Sequence, residues 1–122
     1  MRLLLIEDNE LNVELFVETL ETDGHAVTVE RDGARGGQRA LAERFDIILL
    51  DVQLPTVNGL EVCRLLRAAG VRAPILGVSS DAMPEQIARA REAGFDEYIT
   101  KPITPTALRA AVRRHAGRPA GS

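Results

Sequence analysis

Short apolar runs alternate about five times with helical patterns along this chain of 122 residues. The runs at residues 3–6 and 45–50 are short, dominated by apolar side chains and followed at once by acids. Runs of this kind suit central parallel strands, because such strands are covered on both faces. A third run lies at residues 75–78, and weaker strand candidates lie at 26–29 and 97–100. The pattern therefore predicts five strands, and their spacing leaves room for a helix after each one.

Helix signals occupy the intervening segments. The first helix carries an apolar stripe at i, i+3, i+4 and i+7, formed by Val13, Phe16, Val17 and Leu20. Gly24 follows at a position typical of a helix C-cap. Thr104 and Pro105 are a start signal for the last helix, whose inner face is predicted to carry Leu108, Ala111 and Val112.

The two middle helices are predicted differently. Asn58 is a candidate cap for a third helix, which carries Val62, Leu65 and Leu66. A second helix is predicted only around residues 38–43, because three glycines crowd the segment before it, namely Gly33, Gly36 and Gly37. The alternation as a whole predicts a parallel sheet with helices on both faces. In such sheets ligands bind at the carboxyl ends of the strands, beside a switch point in strand order.

Three carboxylates, a hydroxyl and an ammonium group are predicted to meet at that edge. They directly follow or end four of the strands: Glu7, Asp8, Asp51, Ser79 and Lys101. Three neighbouring carboxylates repel one another, and a hard divalent cation with oxygen ligands, Mg²⁺ above all, resolves that repulsion. Asp51 can then act as a nucleophile that forms an acyl phosphate. Lys101, Ser79 and Mg²⁺ would contact the phosphoryl oxygens.

These residues resemble the marker set of response-regulator receiver domains. The matching parts are the pair Glu7-Asp8, the stretch Asp-Val-Gln-Leu-Pro-Thr-Val-Asn-Gly at 51–59, Ser79 and the pair Lys101-Pro102. The resemblance spans nearly the whole chain. It implies a CheY-like, flavodoxin-like α/β fold of three αβα layers, with a doubly wound, five-stranded parallel sheet of strand order 2-1-3-4-5.

The resemblance also implies a role for each matching residue. Asp51 would accept the phosphoryl group, and Lys101 would pair with that group. The peptide bond between Lys101 and Pro102 is often cis in the family. The Mg²⁺ ligands would be Asp8, Asp51 and the backbone carbonyl of Gln53, with Glu7 acting through a water. Gly59 matches the family glycine that lies eight positions after the phosphoacceptor.

Further positions correspond to switching and to rate. Ser79 and Tyr98 would be the pair that changes position on phosphorylation. Gln53 and Asp81 would tune the rate of hydrolysis. Asp81 places a like charge in the path of an approaching anion, so we expect it to slow anionic phosphodonors or to alter autodephosphorylation.

The subtype has two interpretations. The stretches Glu-Asp-Asn-Glu-Leu-Asn at 7–12 and Asp-Val-Gln-Leu-Pro at 51–55 resemble single-domain cell-division regulators of the DivK type. Comparable motifs occur in receivers attached to hybrid histidine kinases, so a receiver excised from such a kinase is the alternative. Either interpretation implies a histidine kinase or histidine phosphotransfer protein as donor and a downstream protein as target. The expected state is a monomer or a weak phosphorylation-dependent dimer.

Composition excludes other classes of partner. The net charge of −3 argues against direct nucleic-acid binding, and no apolar run approaches the length of a membrane span. Cys63 is the single cysteine, which suits a reducing cytoplasm. We expect one receiver domain at residues 1–116, followed by a flexible tail at 117–122, in a cytoplasmic protein that is a signalling switch rather than an enzyme with a separate substrate.

A rival of another class is a Mg²⁺-dependent aspartyl-phosphate hydrolase of the haloacid dehalogenase type. Such enzymes use a second acid two residues after the nucleophile as a general acid, and this chain has Gln53 there. Neither of the two glycine-rich phosphate-binding motifs follows a predicted strand, which argues against a nucleotide-binding domain.

Overall fold

Five parallel strands form one sheet in the computed structural model, which describes residues 1–116. The sheet has the order β2-β1-β3-β4-β5, and every neighbouring pair is parallel. The strands are β1 (Arg2–Ile6), β2 (Ala26–Glu30), β3 (Ile47–Asp51), β4 (Ile75–Ser79) and β5 (Glu97–Thr100). The predicted doubly wound fold and its strand order are thereby confirmed. The predicted tail at 117–122 lies outside the described residues.

Four helices connect the strands, a fifth follows β5, and together they cover both faces of the sheet. They are α1 (Glu10–Thr22), α2 (Gly33–Ala42), α3 (Gly59–Ala68), α4 (Pro84–Ala93) and α5 (Pro105–His115). On the central strand β1, Leu4 and Ile6 enter the core beneath α2, α3 and α4, whereas Leu3 and Leu5 enter the core beneath α1 and α5. Both faces of the central strands are buried, which explains why their apolar runs do not alternate with polar residues. Among the described helices, none has both the length and the apolar character needed to cross a membrane.

The predicted helix caps are present. The Asn58 side chain accepts a hydrogen bond from the Leu60 backbone at 2.8 Å, at the start of α3. The Thr104 hydroxyl accepts one from the Ala107 backbone at 3.1 Å, at the start of α5. Gly24 directly follows Asp23, the C-cap residue of α1, and has a φ of +90°, a value that glycine adopts without strain. These caps satisfy backbone groups that a helix end leaves without partners.

Two predictions about the helices were wrong. Helix α2 begins at Gly33, not near residue 38, because the Asp32 side chain caps it through the Arg35 backbone at 2.9 Å. The glycines are part of this helix, and one of them, Gly36, allows α2 to approach Ile6 closely. Leu65 is 65% exposed and does not join Leu66 on the buried face of α3. The buried face of α3 carries Val62, Cys63 and Leu66, and Leu65 lies outside it.

Candidate functional site

Three carboxylates meet where β1 and β3 end. Asp51 is the last residue of β3 and is 2% exposed, Glu7 directly follows β1 and is fully buried, and Asp8 is exposed. One carboxylate oxygen from each lies within 4.8 Å of the others. The parallel register causes this convergence, because β1 and β3 are neighbours and both reach the same edge of the sheet.

Lys101 supplies the one cation that contacts these carboxylates among the described residues. It follows β5, its Nζ lies 3.0 Å from Asp51 Oδ2 and 3.5 Å from Glu7 Oε1, and its side chain is 19% exposed. Burial alone would lower the pKa of Lys101, but hydrogen bonding and attraction from Asp51, with a further contribution from Glu7, outweigh it and raise that pKa. The ammonium group therefore stays protonated. The peptide bond between Lys101 and Pro102 is cis.

This arrangement raises the pKa of the Glu7 carboxyl group. Burial, followed by its hydrogen bond with Asp51 and the charge of Asp51, raises the pKa of Glu7 from 4.5 to about 7. A hydrogen bond from the Asn9 backbone to Glu7 Oε2 at 3.2 Å acts in the opposite direction. One ammonium group thus faces three carboxylates, and the site has an excess of negative charge whenever all three are ionised.

The donor set fits a hard divalent cation. All the candidate ligand atoms are oxygens, which Mg²⁺ prefers over nitrogen or sulfur, and a dication would neutralise the charge that Lys101 leaves uncompensated. The Gln53 backbone lies beside this cluster, and the Gln53 backbone N–H donates a hydrogen bond to Asp51 Oδ1 at 2.8 Å. The residues present are therefore compatible with the Mg²⁺ that the sequence predicts.

Ser79 ends β4 at the same edge. Its neighbour Val78 is the register partner of Asp51, and Ser79 itself is 1% exposed. The Ser79 hydroxyl accepts a hydrogen bond from the Asp81 backbone at 3.0 Å. The Lys101 backbone N–H donates to the Ser79 carbonyl at 2.8 Å, so the segments that carry these two side chains are directly joined.

Tyr98 is half-buried on β5, and its hydroxyl donates to the backbone carbonyl of Asp81. Asp81 therefore contacts Tyr98 through its carbonyl and Ser79 through its N–H. The structure thus connects the two predicted switch residues through one peptide segment. Sequence reasoning assigned Asp81 a role through its charge and missed this backbone connection, for which the sequence contains no signal.

Gly59 lies where α3 begins against the end of β3. A Cβ atom at this position would lie 2.3 Å from the Asp51 carbonyl oxygen and 2.6 Å from the Val52 Cα. No side chain fits within those distances, so a glycine here allows α3 to start directly against the backbone of the Asp51 segment.

Sequence reasoning also missed a link across the mouth of the site. The Gln53 side chain accepts hydrogen bonds from the Ser80 hydroxyl at 2.8 Å and from the Ser80 backbone at 3.1 Å. The two residues lie in the loops after β3 and β4. Gln53 also lines a cavity of about 290 Å³ together with Ser79, Asp81 and Gln86. The sequence indicates that these loops are neighbours, but it does not indicate which side chains pair.

Comparison with known protein families gives one match. Residues 3–113 match the family model described as the response regulator receiver domain. This range includes every residue of the site described above.

Individual relatives differ in how much of their length they share with this chain. The polar-differentiation response regulator DivK of Brucella anthropi is 34% identical over 116 residues, which cover 93% of this chain and 94% of DivK. Protein RcaC of Microchaete diplosiphon is 32% identical over 123 residues, which cover 98% of this chain but 19% of RcaC. This chain therefore spans about a fifth of RcaC and almost all of DivK.

A solved receiver domain of similar sequence has the same fold. The receiver domain of a sensor histidine kinase from Pseudomonas aeruginosa, crystallised with a magnesium ion in its active-site cleft, superposes with a TM-score of 0.84. It is 30% identical and covers 93% of this chain and 94% of that domain.

Proposed function

This chain belongs to the response regulator receiver domain family of two-component systems, and from that premise we propose that Asp51 is its phosphoacceptor. The donor is a phosphohistidine on a histidine kinase or a histidine phosphotransfer protein. The observation that supports the proposal most directly is the position of Asp51, which lies at a strand end with Lys101 Nζ at 3.0 Å and two further carboxylates beside it.

The transfer itself needs mainly positioning and charge compensation. A carboxylate oxygen of Asp51 attacks phosphorus, the bond from phosphorus to the histidine nitrogen breaks, and its electron pair returns to the imidazole ring. Lys101 already contacts Asp51 Oδ2, so its ammonium group is in position to pair with the phosphoryl oxygens as they approach. The domain would in this way promote its own phosphorylation and dephosphorylation without a separate substrate.

A bound Mg²⁺ would neutralise charge on the phosphoryl oxygens. Asp8, Asp51 and the backbone carbonyl of Gln53 would hold it directly, and Glu7 would contribute through a water. The close carboxylate oxygens and the raised pKa of Glu7 support this assignment.

Switching would begin at Ser79. On phosphorylation its hydroxyl would turn toward the phosphoryl group and give up the hydrogen bond that it accepts from the Asp81 backbone. Tyr98 contacts the same segment through the Asp81 carbonyl and would follow it. The surface of α4, β5 and α5 would then change shape, as a two-state element biased by a local charge. The signal would pass by protein contact to a downstream partner, from a cytoplasmic domain that is monomeric or forms a weak phosphorylation-dependent dimer.

The receiver of a hybrid histidine kinase remains the second candidate. It is favoured by the similarity to the receiver domain of a Pseudomonas aeruginosa sensor histidine kinase, whereas the coverage of DivK favours a single-domain regulator. The hydrolase alternative loses its basis, because the family match accounts for residues 3–113 and Gln53 cannot serve as a general acid.

Replacement of the acceptor tests the proposal. Asp51→Asn should abolish labelling by phosphoramidate, a small donor with the same phosphorus–nitrogen bond as phosphohistidine, and by a phosphorylated phosphotransfer protein. Asp46→Asn, an exposed aspartate just before β3, is the matched control and should be labelled like the wild type. Intact-protein mass spectrometry measures the label. Persistent labelling of Asp51→Asn at another residue would refute the assignment.

The charge of Asp81 is tested in the same assay. Asp81→Ala should be labelled faster by acetyl phosphate, an anionic donor, or should lose the label at a different rate, because a like charge near the mouth is removed. Equal rates of labelling and loss in Asp81→Ala and the wild type would contradict this role.

A further inference from the structure

Gln53 and Ser80 join two loops at the mouth of the candidate site. Gln53 lies two residues after Asp51, and Ser80 directly follows Ser79, so each belongs to a loop that carries a site residue. Gln53 Oε1 accepts from the Ser80 hydroxyl at 2.8 Å and from the Ser80 backbone N–H at 3.1 Å. We call this pair of hydrogen bonds the Gln53–Ser80 link. Both residues are exposed, so the link lies where water reaches the site.

The chemistry of the link determines the orientation of the Gln53 amide. A backbone N–H can only donate, so the atom that faces it must be the carbonyl oxygen Oε1 and not the amide nitrogen. That oxygen has two lone pairs, and the two Ser80 donors engage both of them. Oε1 is also the only acceptor in the Gln53 side chain, which is therefore left with hydrogen-bond donors alone.

We propose that Ser80 is a positioning residue that prolongs the life of the acyl phosphate on Asp51 by occupying the only acceptor of the Gln53 side chain. This inference rests on the proposed function of Asp51. In the hydrolysis step a water oxygen attacks phosphorus, the bond between phosphorus and the Asp51 oxygen breaks, and its electron pair stays on the carboxylate. Both water protons leave with dihydrogen phosphate.

An attacking water must direct its lone pair at phosphorus, and an acceptor that takes one of its O–H groups helps to orient it. A free Gln53 Oε1 could do this, because Gln53 lines the same cavity as Ser79 and lies beside Asp51 through its own backbone N–H. With both lone pairs engaged by Ser80, Gln53 Oε1 cannot accept a hydrogen bond from the attacking water. The link also holds the side chain in one place across the mouth, which leaves less room for water to approach.

The test is a double-mutant cycle on the rate at which the phosphorylated protein loses its label. Ser80→Ala removes the 2.8 Å hydrogen bond from the Ser80 hydroxyl and leaves the one from the Ser80 backbone N–H, so one lone pair of Gln53 Oε1 becomes available. We expect the label to be lost roughly 3- to 10-fold faster, the effect of about one hydrogen bond. Ser80→Thr keeps the hydroxyl and should behave like the wild type.

The second arm of the cycle uses Gln53→Met, which is similar in size and has no amide. In that background Ser80→Ala should leave the rate unchanged, because there is no Oε1 to release. A structural effect of Ser80 would instead accelerate loss equally in both backgrounds. Thr106→Ala, an exposed hydroxyl on α5, controls for removal of a surface hydroxyl, and thermal melts control for folding.

The outcomes separate this inference from the proposed function. Faster loss in Ser80→Ala, its absence in the Gln53→Met background and recovery in Ser80→Thr would together support the inference. Loss at the wild-type rate in Ser80→Ala, or equal acceleration in both backgrounds, would overturn it while labelling of Asp51 stands. Failure of the wild-type protein to take label at Asp51 would overturn both.

Discussion

At the scale of the single residue, Glu7 links the chemistry of the site to the stability of the protein. The pKa of its carboxyl is raised to about 7 in the folded protein from an ordinary value of 4.5, first by burial and then by Asp51. Between those values the metal-free folded protein holds a proton at Glu7 that the unfolded chain has released. Stability from this group is therefore complete below about pH 4.5 and is lost as the pH rises through 7.

A neutral replacement reveals this contribution. In buffer with a chelator, Glu7→Gln should match the wild type at about pH 4, where Glu7 is largely neutral in both the folded protein and the unfolded chain. At about pH 8 the variant should be more stable by ~2 kcal/mol, because the wild type then carries a buried charge. Urea unfolding at the two pH values measures the difference. A difference that is equal at both pH values would show that the carboxyl does not titrate in this range.

Side chains at strand ends could be predicted from the sequence, and side chains within loops could not. Asp51 and Ser79 are positioned by hydrogen-bonded strands, whose carboxyl ends meet for any sequence that forms this sheet. The Gln53–Ser80 link and the contact of Tyr98 with Asp81 depend on how two irregular loops bend. No period in the sequence encodes that bending, so only the structure identifies these pairs.

At the scale of the element, α2 shows how packing overrides local propensity. Glycine costs about 0.5–1 kcal/mol in a helix interior relative to alanine, which argues against a helix through residues 33–37. The helix forms there because Asp32 caps it and because the absence of a side chain at Gly36 lets it approach the fully buried Ile6. The sequence displays the cost of the glycines but not the close contact that they permit.

Two neighbouring glycines of α2 should respond in opposite directions to the same substitution. A Cβ atom at Gly36 would lie 2.6 Å from Ile6 side-chain atoms, so Gly36→Ala should destabilise the fold by about 1–3 kcal/mol through overpacking. At Gly37 the nearest atom is 3.6 Å away, on Val62, so Gly37→Ala should stabilise it by about 0.5–1 kcal/mol. Chemical unfolding of both variants checks the pair, and the same sign for both would contradict the close approach of α2 to Ile6.

Helix α4 shows a different limit on prediction. Its N-cap is Met83, which makes no side-chain capping bond, and only Ala90 and Ala93 of its residues are buried. A helix with neither a polar cap nor a stripe of large apolar residues shows little periodicity, so its sequence signals are confined to its ends, where Pro84 is the first helical residue and Gly94 follows the last. By contrast, α1 and α5 bury large side chains at helical spacing, and their positions follow directly from that spacing.

At the scale of the whole molecule, the fold was predictable because the strand pattern and the two-sided core agree. Four of the five strands begin and end within one residue of their predicted bounds, whereas β3 begins at Ile47, two residues after the apolar run starts. The residues before it serve another purpose, since the Asp46 side chain accepts a hydrogen bond from the Arg2 backbone at 2.7 Å. An apolar run marks burial, and burial extends beyond the strand itself.

Metal binding should stabilise the molecule as a whole, because the three carboxylates converge only in the folded state. At a Mg²⁺ concentration ten times the dissociation constant, the expected gain is about 1.4 kcal/mol. For a domain of this size that corresponds to a rise of roughly 3–6 °C in the melting temperature. Sodium chloride at equal ionic strength is the control, and Asp8→Asn should lose most of the rise. A melting temperature that does not respond to millimolar Mg²⁺ would count against the site.

Lys101 is also a residue through which chemical modification can probe the site. It carries the only ε-amino group in the sequence, where the other 14 basic residues are arginines. That amine lies 19% exposed between Asp51 and Glu7, and their influence raises its pKa, so it is a poor nucleophile in the resting protein. Reagents that acylate lysine have no other side-chain amine to attack in this chain. When the reaction is followed on the peptide that contains Lys101, so that acylation of the Met1 α-amino group is counted separately, its rate reports on the occupancy of a single pocket without a background of surface lysines.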